Sequence, residues 1–171
     1  HVVKLVFAFK ERFWERDFPF PDELGFLIAP DETFPGWWTG YPIFAPMLVA
    51  WVGGPAADAL VGLDRTQRVD RALASLSRLV GVPRAVVDDQ LVAWDTHDWA
   101  ADPFARGAYS FVRVGGMEAQ AVLARPVENT LFFAGEATEL AGHQATVHGA
   151  VAAGQRAADE VMRSLDPTEQ P

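Results

Sequence analysis

Residues 130–161 read TLFFAGEATELAGHQATVHGAVAAGQRAADEV, a stretch with a clear order of predicted structural elements. Residues 130–134 are an apolar, partly aromatic run of strand length, and Gly135 ends it because glycine adopts backbone conformations that other residues resist. From Val147 onward, apolar residues recur at helical spacing while polar residues fall mostly on the opposite face. The pattern predicts a strand, a glycine turn, a polar loop and a long helix with one buried side.

The start of this predicted helix, at residues 146–148, suits an anionic ligand. The first N–H groups of a helix lack partners within it, and the helix dipole places roughly half a positive charge there. Gly149 and Gly154 thin the early turns. Each costs about 1 kcal/mol relative to alanine, so we expect close packing to offset that cost.

Composition excludes several classes of protein. With 171 residues, 50% hydrophobic and 22% charged, the chain can bury a globular core. A net charge of −9 argues against a nucleic-acid surface. No apolar run reaches the roughly 18 residues of a membrane span, and the lack of cysteines excludes disulfides and thiolate metal sites. We therefore expect a soluble, cytoplasmic protein with a small or cationic partner.

Hydrophobic periodicity predicts further elements along the chain. Strands are predicted at residues 1–10, 24–29, 37–44, 47–52 and 86–94, and helices at residues 55–61, 64–80 and 117–124. Asp64 should cap the second of these helices, and Gly81 should end it. Its arginines Arg65, Arg68, Arg71 and Arg78 are interpreted as a solvated face.

The residues alone leave several interpretations open. Lys4 lies among apolar residues of the first strand and could extend its charge to solvent at the strand end. Residues 7–51 hold 13 of the 20 aromatic residues, which suits a sheet core or the walls of an apolar cavity. His97 and Asp98 suggest an acid–base pair or a metal ligand, but no further ligands stand at suitable spacing, so we predict neither role.

Three motifs together resemble a known family. FFAGEAT at residues 132–138, ATVHGA at 145–150 and GxRAA at 154–158 resemble the C-terminal signature of flavin-dependent amine oxidases. That family includes monoamine oxidases, polyamine oxidases and the flavin-type histone lysine demethylases. Residues 99–110 also resemble its segment W-x-x-DP-x-x-x-G-(S/A)-YS, and a looser resemblance covers residues 4–163.

The resemblance implies a mixed α/β fold with two functional parts. Residues 1–125 would be a portion of the substrate-binding domain, a mixed sheet with helices, and residues 126–165 the C-terminal strand, loop and helix of the FAD-binding domain. Residues 166–171 would be a flexible tail. The family begins with a dinucleotide-binding GxGxxG turn, and this sequence contains none. We therefore expect the chain to be the C-terminal part of a longer enzyme whose N-terminal FAD-binding part is its partner, and oligomer formation stays open.

The resemblance also implies a site and a reaction. Lys4 would hold a water at flavin N5, and Tyr109 would border the amine. Non-covalent FAD would be held by Gly135, Glu136, Ala137, Thr138, Ala145, Thr146, Val147 and Trp99. The substrate, a small-molecule amine, would lie near Tyr109 and Thr146 and lose a hydride equivalent, with O2 as the acceptor giving H2O2.

Departures from monoamine oxidases refine this prediction. Ala108 stands where they attach their flavin through a cysteine, and Thr146 stands where they have a second tyrosine. The site is therefore more similar to those of polyamine oxidases and histone demethylases. An ordinary buried tyrosine would also explain Tyr109, and His143 and His148 could be general bases, although neither matches a catalytic residue of the family.

Two alternatives remain at this point. The polypeptide could be a substrate or interaction domain without catalysis of its own, because half of the expected cofactor site is missing from the sequence. It could also belong to the related flavoproteins that desaturate carotenoids or oxidise porphyrinogens.

Overall fold

The computed structural model describes residues 1–15 and 24–165. The predicted tail at residues 166–171 lies outside the described residues. The chain divides into two compact units, residues 1–108 and residues 109–171. The functional division that we expect at residue 125 stays a prediction, because compactness alone assigns no function.

The first unit is built on an antiparallel five-stranded sheet. Its strands are β1 (Val2–Phe9), β2 (Phe26–Ile28), β3 (Gly36–Trp38), β4 (Met47–Gly53) and β5 (Leu91–Thr96). Their order across the sheet is β2-β3-β4-β1-β5. Helices accompany this sheet, so the prediction of a mixed α/β fold is confirmed.

Alternation along β1 separates the two faces of the sheet, because successive side chains of a strand point to opposite sides. Val3, Leu5, Phe7 and Phe9 are buried, whereas Lys4 on the other face is exposed. Phe7 stacks on Trp37 with ring centroids 5.8 Å apart. We call the side that carries Lys4 the non-core face.

The aromatic residues of this unit fall into a buried group and an exposed group. Those that are buried in the core are Phe7, Phe9, Phe13, Trp14, Phe34 and Trp37. Phe26, Tyr41 and Phe44 are instead exposed. The interpretation as a sheet core is therefore confirmed for the first group only.

The described part of the first unit contains the helices α1 (Pro55–Asp58), α2 (Arg65–Val80) and α3 (Arg84–Gln90). The prediction for α2 is confirmed at both ends. Asp64 accepts a hydrogen bond of 2.8 Å from the backbone N–H of Gln67 and completes a capping box, and Gly81 ends the helix with φ 70°.

Three predictions for this unit are wrong. The strand predicted at residues 37–44 ends at Trp38. Residues 86–94 are not one strand, because residues 84–90 form α3 before β5 begins. Arg68 is not on a solvated face: it is buried, donates to the carbonyl of Leu60, and pairs with Asp98 at 2.9 Å.

The second unit contains α4 (Met117–Ala124), a short 3-10 turn (Glu136–Thr138) and α5 (Val147–Leu165). The helices α4 and α5 are confirmed, but the apolar side of α5 that we expect to be buried is largely exposed in the described chain, at Val147, Val151 and Met162. The strand predicted at residues 130–134 is not formed, since the described residues give it only an isolated bridge between Val127 and Leu131. No helix of the described ranges is long and apolar enough to span a membrane.

Helix α5 packs through small residues. Gly149, Ala153 and Ala157 are buried on one side of it. The close packing expected at Gly149 is confirmed, because a Cβ there would overlap the carbonyl oxygen of His143. The same expectation is wrong for Gly154, where no described atom lies within 4 Å of a Cβ.

Candidate functional site

The N-terminal end of α5 offers free backbone donors. The Thr146 hydroxyl accepts a hydrogen bond of 3.1 Å from the N–H of Gly149 and donates one of 2.6 Å to the carbonyl of His143, so Thr146 caps the helix. Within residues 1–15 and 24–165, the N–H groups of Val147 and His148 have no acceptor, and the Val147 side chain is 84% exposed. This helix end can therefore receive an anionic group.

Glu136 braces the segments around this helix end. Its Oε1 accepts a hydrogen bond of 2.7 Å from the N–H of Ser110, and its Oε2 accepts bonds of 2.6 Å from the Ser110 hydroxyl and from the N–H of Ala145. The backbone of Ala145 is left-handed, with φ 61°. Glu136 therefore stabilises a conformation that alanine seldom adopts.

The same hydrogen bonds keep Glu136 ionised. Burial raises the pKa of Glu136, but the bonds from the Ser110 hydroxyl and from the N–H groups of Ser110 and Ala145 together outweigh it, so the pKa lies below its usual value. A carboxylate has about four acceptor positions, and three are used here. One position on Oε1 remains for a hydroxyl of a ligand.

Gly135 and Thr138 shape the turn that carries Glu136. Gly135 has φ 120°, a conformation that side chains rarely allow. Thr138 is 4% exposed, and its hydroxyl donates to the carbonyl of Gly135 at 2.9 Å. The hydroxyl also accepts a bond of 3.1 Å from Arg156, so within the described chain Thr138 holds the turn.

Ala137 lies at an open hollow on the second unit. The hollow has a volume of about 400 Å³, and residues that line it include Ser110, Phe111, Gly116, Gln120 and Leu123. Its lining is mostly apolar. The loop that carries Glu136 therefore borders free space.

Sequence reasoning missed Arg156, which fastens this unit together. Its guanidinium donates to the carbonyls of Phe133 (2.8 Å) and Ala124 (3.2 Å), as well as to Thr138 and Glu160. The signal was present in the GxRAA motif, where an arginine stands among small helical residues. Arg156 thus ties α5 to the segments that precede the glycine turn.

Glu139 and Ser110 were also missed. The Glu139 carboxylate accepts bonds from the N–H groups of Ala141 (2.7 Å) and His143 (2.6 Å). The Ala141 bond, followed by the His143 bond, lowers the pKa of Glu139 against the opposing effect of burial. Both residues are polar side chains in a loop that must turn sharply, which is the signal that could have found them.

In the first unit, Lys4 lies within the strand and not at its end. It pairs with Trp51 of β4 across the sheet, and its Nζ lies 5.3 Å from the centroid of the Trp38 ring. Charge extension at a strand end therefore does not describe it. Lys4 is presented on the non-core face of the sheet.

Trp99 lies in a loop that two aspartates shape. Asp98 accepts from the N–H of Ala101 and from Arg68, and Asp102 accepts from the N–H groups of Phe104 and Ala105. Trp99 is 49% exposed, and the His97 ring lies 4.4 Å from its centroid. The indole of Trp99 is thus held with much of its surface free.

His97 takes part in this loop and in no metal cluster. Its Nε2 lies 2.9 Å from Asp102 Oδ2, not beside Asp98 as an acid–base pair would need. Among the described residues, no three histidine, cysteine or acidic side chains come together to hold a metal ion. Among the described residues, His97 therefore pairs with Asp102.

Tyr109 belongs to the second unit and is 47% exposed. The alternative of an ordinary buried tyrosine is therefore wrong for the described chain. That unit brings together Ser110, Glu136, Ala145, Thr146 and Val147. Lys4 and Trp99 lie in the first unit, and their roles toward a cofactor stay predictions.

Comparison with known proteins identifies the family of this chain. The profile described as "Flavin containing amine oxidoreductase" matches residues 1–162. The chain belongs to this family. It is 36% identical over 170 residues to "Lysine-specific histone demethylase 1 homolog 3" of Arabidopsis thaliana, a match that covers 95% of this chain and 10% of the relative. It is 31% identical to "Lysine-specific histone demethylase 2" of Homo sapiens, covering 94% of this chain and 20% of that protein.

Solved structures resemble the chain as well. Putrescine oxidase bound to putrescine has a TM-score of 0.75 and 29% identity, and the match covers 94% of this chain and 34% of that one. Cyclohexylamine oxidase from Brevibacterium oxydans has a TM-score of 0.74 and 22% identity, which shows the fold alone. The chain thus spans about a third of these solved chains and a tenth to a fifth of the curated relatives named above.

Proposed function

We propose that this family member forms the substrate-side sheet and one edge of the flavin site of an FAD-dependent amine oxidase. The observation that carries the proposal is the helix end of α5, where Val147 and His148 present free N–H groups beside the loop braced by Glu136. Donors aimed at developing negative charge stabilise it. The residues present therefore fit the electron-rich end of a flavin.

Bound FAD would supply the oxidising chemistry, accepting a hydride equivalent from the carbon beside the amine nitrogen and passing the electrons to O2 to give H2O2. The Val147 N–H would hold the flavin end that gains negative charge. The free position on Glu136 would accept a hydroxyl of the cofactor, and Gly135 would let the backbone approach closely. Ala108 has no sulfur, so the attachment would be non-covalent.

Lys4 and Tyr109 would act on the substrate side. Lys4 would orient a water by donating from Nζ, and the exposed ring of Tyr109 would border the amine. Thr146 would border it less directly, since its hydroxyl is occupied in capping α5. A small-molecule amine is supported by the name of one solved relative, a putrescine oxidase bound to putrescine.

We further propose that an N-terminal FAD-binding part is the partner of this chain. Helix α5 leaves apolar residues exposed, namely Val147 (84%), Val151 (56%), Met162 (67%) and Leu165 (70%). Residues 130–134 have strand composition but no ladder among the described residues. Both features suit packing against a parallel sheet that carries a GxGxxG turn. A cytoplasmic location is part of the same proposal.

Substitution of Lys4 tests the proposed role most simply. In the flavin-loaded enzyme, Lys4→Met should slow flavin turnover, while Lys10→Met should not, because Lys10 makes an exposed ion pair with Asp89 at 3.2 Å. An unchanged rate of flavin reduction and reoxidation in Lys4→Met would remove Lys4 from the mechanism. A chain that binds no flavin even with its FAD-binding part would favour the non-catalytic alternative.

A further inference from the structure

The two lysines of this chain have different surroundings. Lys10 pairs with the carboxylate of Asp89. Lys4 has neither a hydrogen-bond acceptor nor a carboxylate partner for its Nζ among the described residues, and its one recorded contact is the indole face of Trp38. Stabilisation of the Lys4 ammonium by the protein therefore comes from an aromatic ring.

The register of the sheet explains how this contact arises. Trp38 of β3 pairs with Val49 of β4, and Val49 pairs with Val6 of β1. Lys4 is two residues from Val6, so Lys4 and Trp38 share the non-core face with strand β4 between them. The long stem of Lys4 spans that strand diagonally.

Trp51 lies between them without blocking the path. It pairs with Lys4 on one side and with Gly36 on the other. A Cβ at Gly53 would meet the Trp51 ring at 2.6 Å, and one at Gly36 would meet it at 3.5 Å. The Trp51 indole therefore lies along the sheet over two glycines.

Trp38 is itself held in place. Its ring lies 6.3 Å from that of Phe26 on the edge strand β2, with a tilt of 41°. The Trp38 side chain is half-buried, whereas Phe26 is 71% exposed. Phe26 thus supports the ring that faces the ammonium.

We propose that Trp38 is a positioning residue, which holds the Lys4 ammonium on the non-core face through a cation–π contact. The inference deepens the proposed function and rests on it for its catalytic meaning, because Lys4 is the residue proposed to orient a water at the flavin. A ring acts through charge and shape without competing for the donors of Lys4, which stay free for that water.

NMR of the full chain tests the contact without any flavin. Reductive methylation with 13C-formaldehyde labels only Lys4, Lys10 and the N-terminal amine, because the chain has two lysines. The Lys4 methyl signal should shift upfield through the ring current of Trp38 and show nuclear Overhauser contacts to indole protons. The Lys10 signal should do neither.

Variants assign the effect to one ring. The upfield shift should vanish in Trp38→Leu, persist in part in Trp38→Phe, and persist in Trp51→Leu. A Lys4 signal that shows no indole contact in the wild-type chain, or one that depends on Trp51 and not on Trp38, would overturn the proposal. The wild-type measurement decides the matter even where a variant fails to fold.

A second measurement connects the contact to catalysis. Cation–π contacts at exposed sites correspond to about a two- to fivefold effect on rate, so Trp38→Leu should slow the Lys4-dependent step by that factor in the flavin-loaded enzyme. In a Lys4→Met background, Trp38→Leu should have no further effect. An equal loss in both backgrounds would contradict positioning through Lys4, whereas failure to bind flavin would contradict only the proposed function.

Discussion

A Cβ at Gly149 would overlap the carbonyl oxygen of His143 and lie 3.0 Å from the Thr146 hydroxyl oxygen. This relationship makes glycine necessary where the loop closes over the first turn of α5. In the same loop, the Glu139 carboxylate accepts a hydrogen bond from the N–H of His143, and the loop leads into Thr146, which caps the helix. The donor-bearing end of α5 therefore depends on a residue that has no side chain.

Gly149→Ala should destabilise the second unit by about 2 kcal/mol, because overpacking a tight contact forces the backbone apart. Gly154→Ala is the matched control in the same helix. It should stabilise the isolated chain by about 0.5–1 kcal/mol, since alanine is the better helix former and space is free at Gly154.

Hydrogen exchange followed by mass spectrometry should measure the stability of the second unit in these variants. Tryptophan fluorescence does not report on that unit, because all six tryptophans lie at or before residue 99. Protection at residues 147–165 should fall in Gly149→Ala and rise in Gly154→Ala. Equal protection in both variants would mean that the close approach to His143 is not tight.

Glu136→Gln should destabilise the second unit by about 2 kcal/mol, because an amide cannot replace a charged acceptor of three hydrogen bonds. Glu128→Gln is a suitable control, since Glu128 is exposed and its carboxylate has no recorded partner in the described chain. A Glu136 variant as stable as the Glu128 variant would contradict the bracing role.

The Glu136 brace should also depend on pH. Its pKa is lowered in the folded chain, so the unfolded chain binds more protons between the two pKa values, and stability rises with pH across that window. The contribution is complete above the ordinary glutamate pKa of about 4.3, and it is lost as pH falls through the folded value. Glu136→Gln should flatten the measured dependence of exchange protection on pH in this acid range.

Arg156→Met should loosen the second unit by about 2 kcal/mol, because the carbonyls of Phe133 and Ala124 lose a charged donor. Arg163→Met on the same helix has no recorded side-chain partner among the described residues and should be nearly neutral. Thermal unfolding followed by far-ultraviolet circular dichroism would compare the two. A neutral Arg156→Met would show that α5 does not depend on this residue for its attachment.

Thr146→Ala should cost about 1 kcal/mol through loss of the helix cap, and Thr146→Ser should restore it. The pair also separates capping from substrate contact. If Thr146 acts only as a cap, Thr146→Ser should match the wild-type enzyme in KM for the amine. A raised KM in Thr146→Ser with unchanged stability would instead place its methyl group against the substrate.

Helices with local signals could be predicted from the sequence. Asp64, Gln67 and Gly81 mark the ends of α2 by side-chain and backbone chemistry within a few residues. The small residues of α5 likewise share one buried face in the structure, because the spacing within a single helix places them there. The alternation of side chains between two faces predicts β1 for the same reason, because it too is a local pattern.

Elements whose conformation depends on contacts with residues distant in sequence were predicted less accurately. Residues 86–94 contain paired valines, which favour a strand. In the structure Val87 is buried at helical spacing, and Arg84 pairs with Asp88 one turn away and with Asp70 of α2. Tertiary contacts therefore override the local preference for a strand.

The candidate site shows the same division. The glycine turn, the helix start and the residues around them followed from motifs. The bracing by Ser110 and Arg156 did not, because these side chains reach segments 26 and 23 residues away. The exposure of the apolar residues on α5 could not be predicted either, since periodicity reveals an apolar face but not what covers it.

The absorbance of flavin during anaerobic addition of an amine shows whether this chain forms part of an amine-oxidising flavin site. The chain, assembled with its FAD-binding part, should hold one FAD that acid precipitation releases. A small amine should bleach the flavin band, and O2 should restore it with formation of H2O2. A colourless assembly, or bound flavin that stays oxidised with every amine tried, would contradict the account.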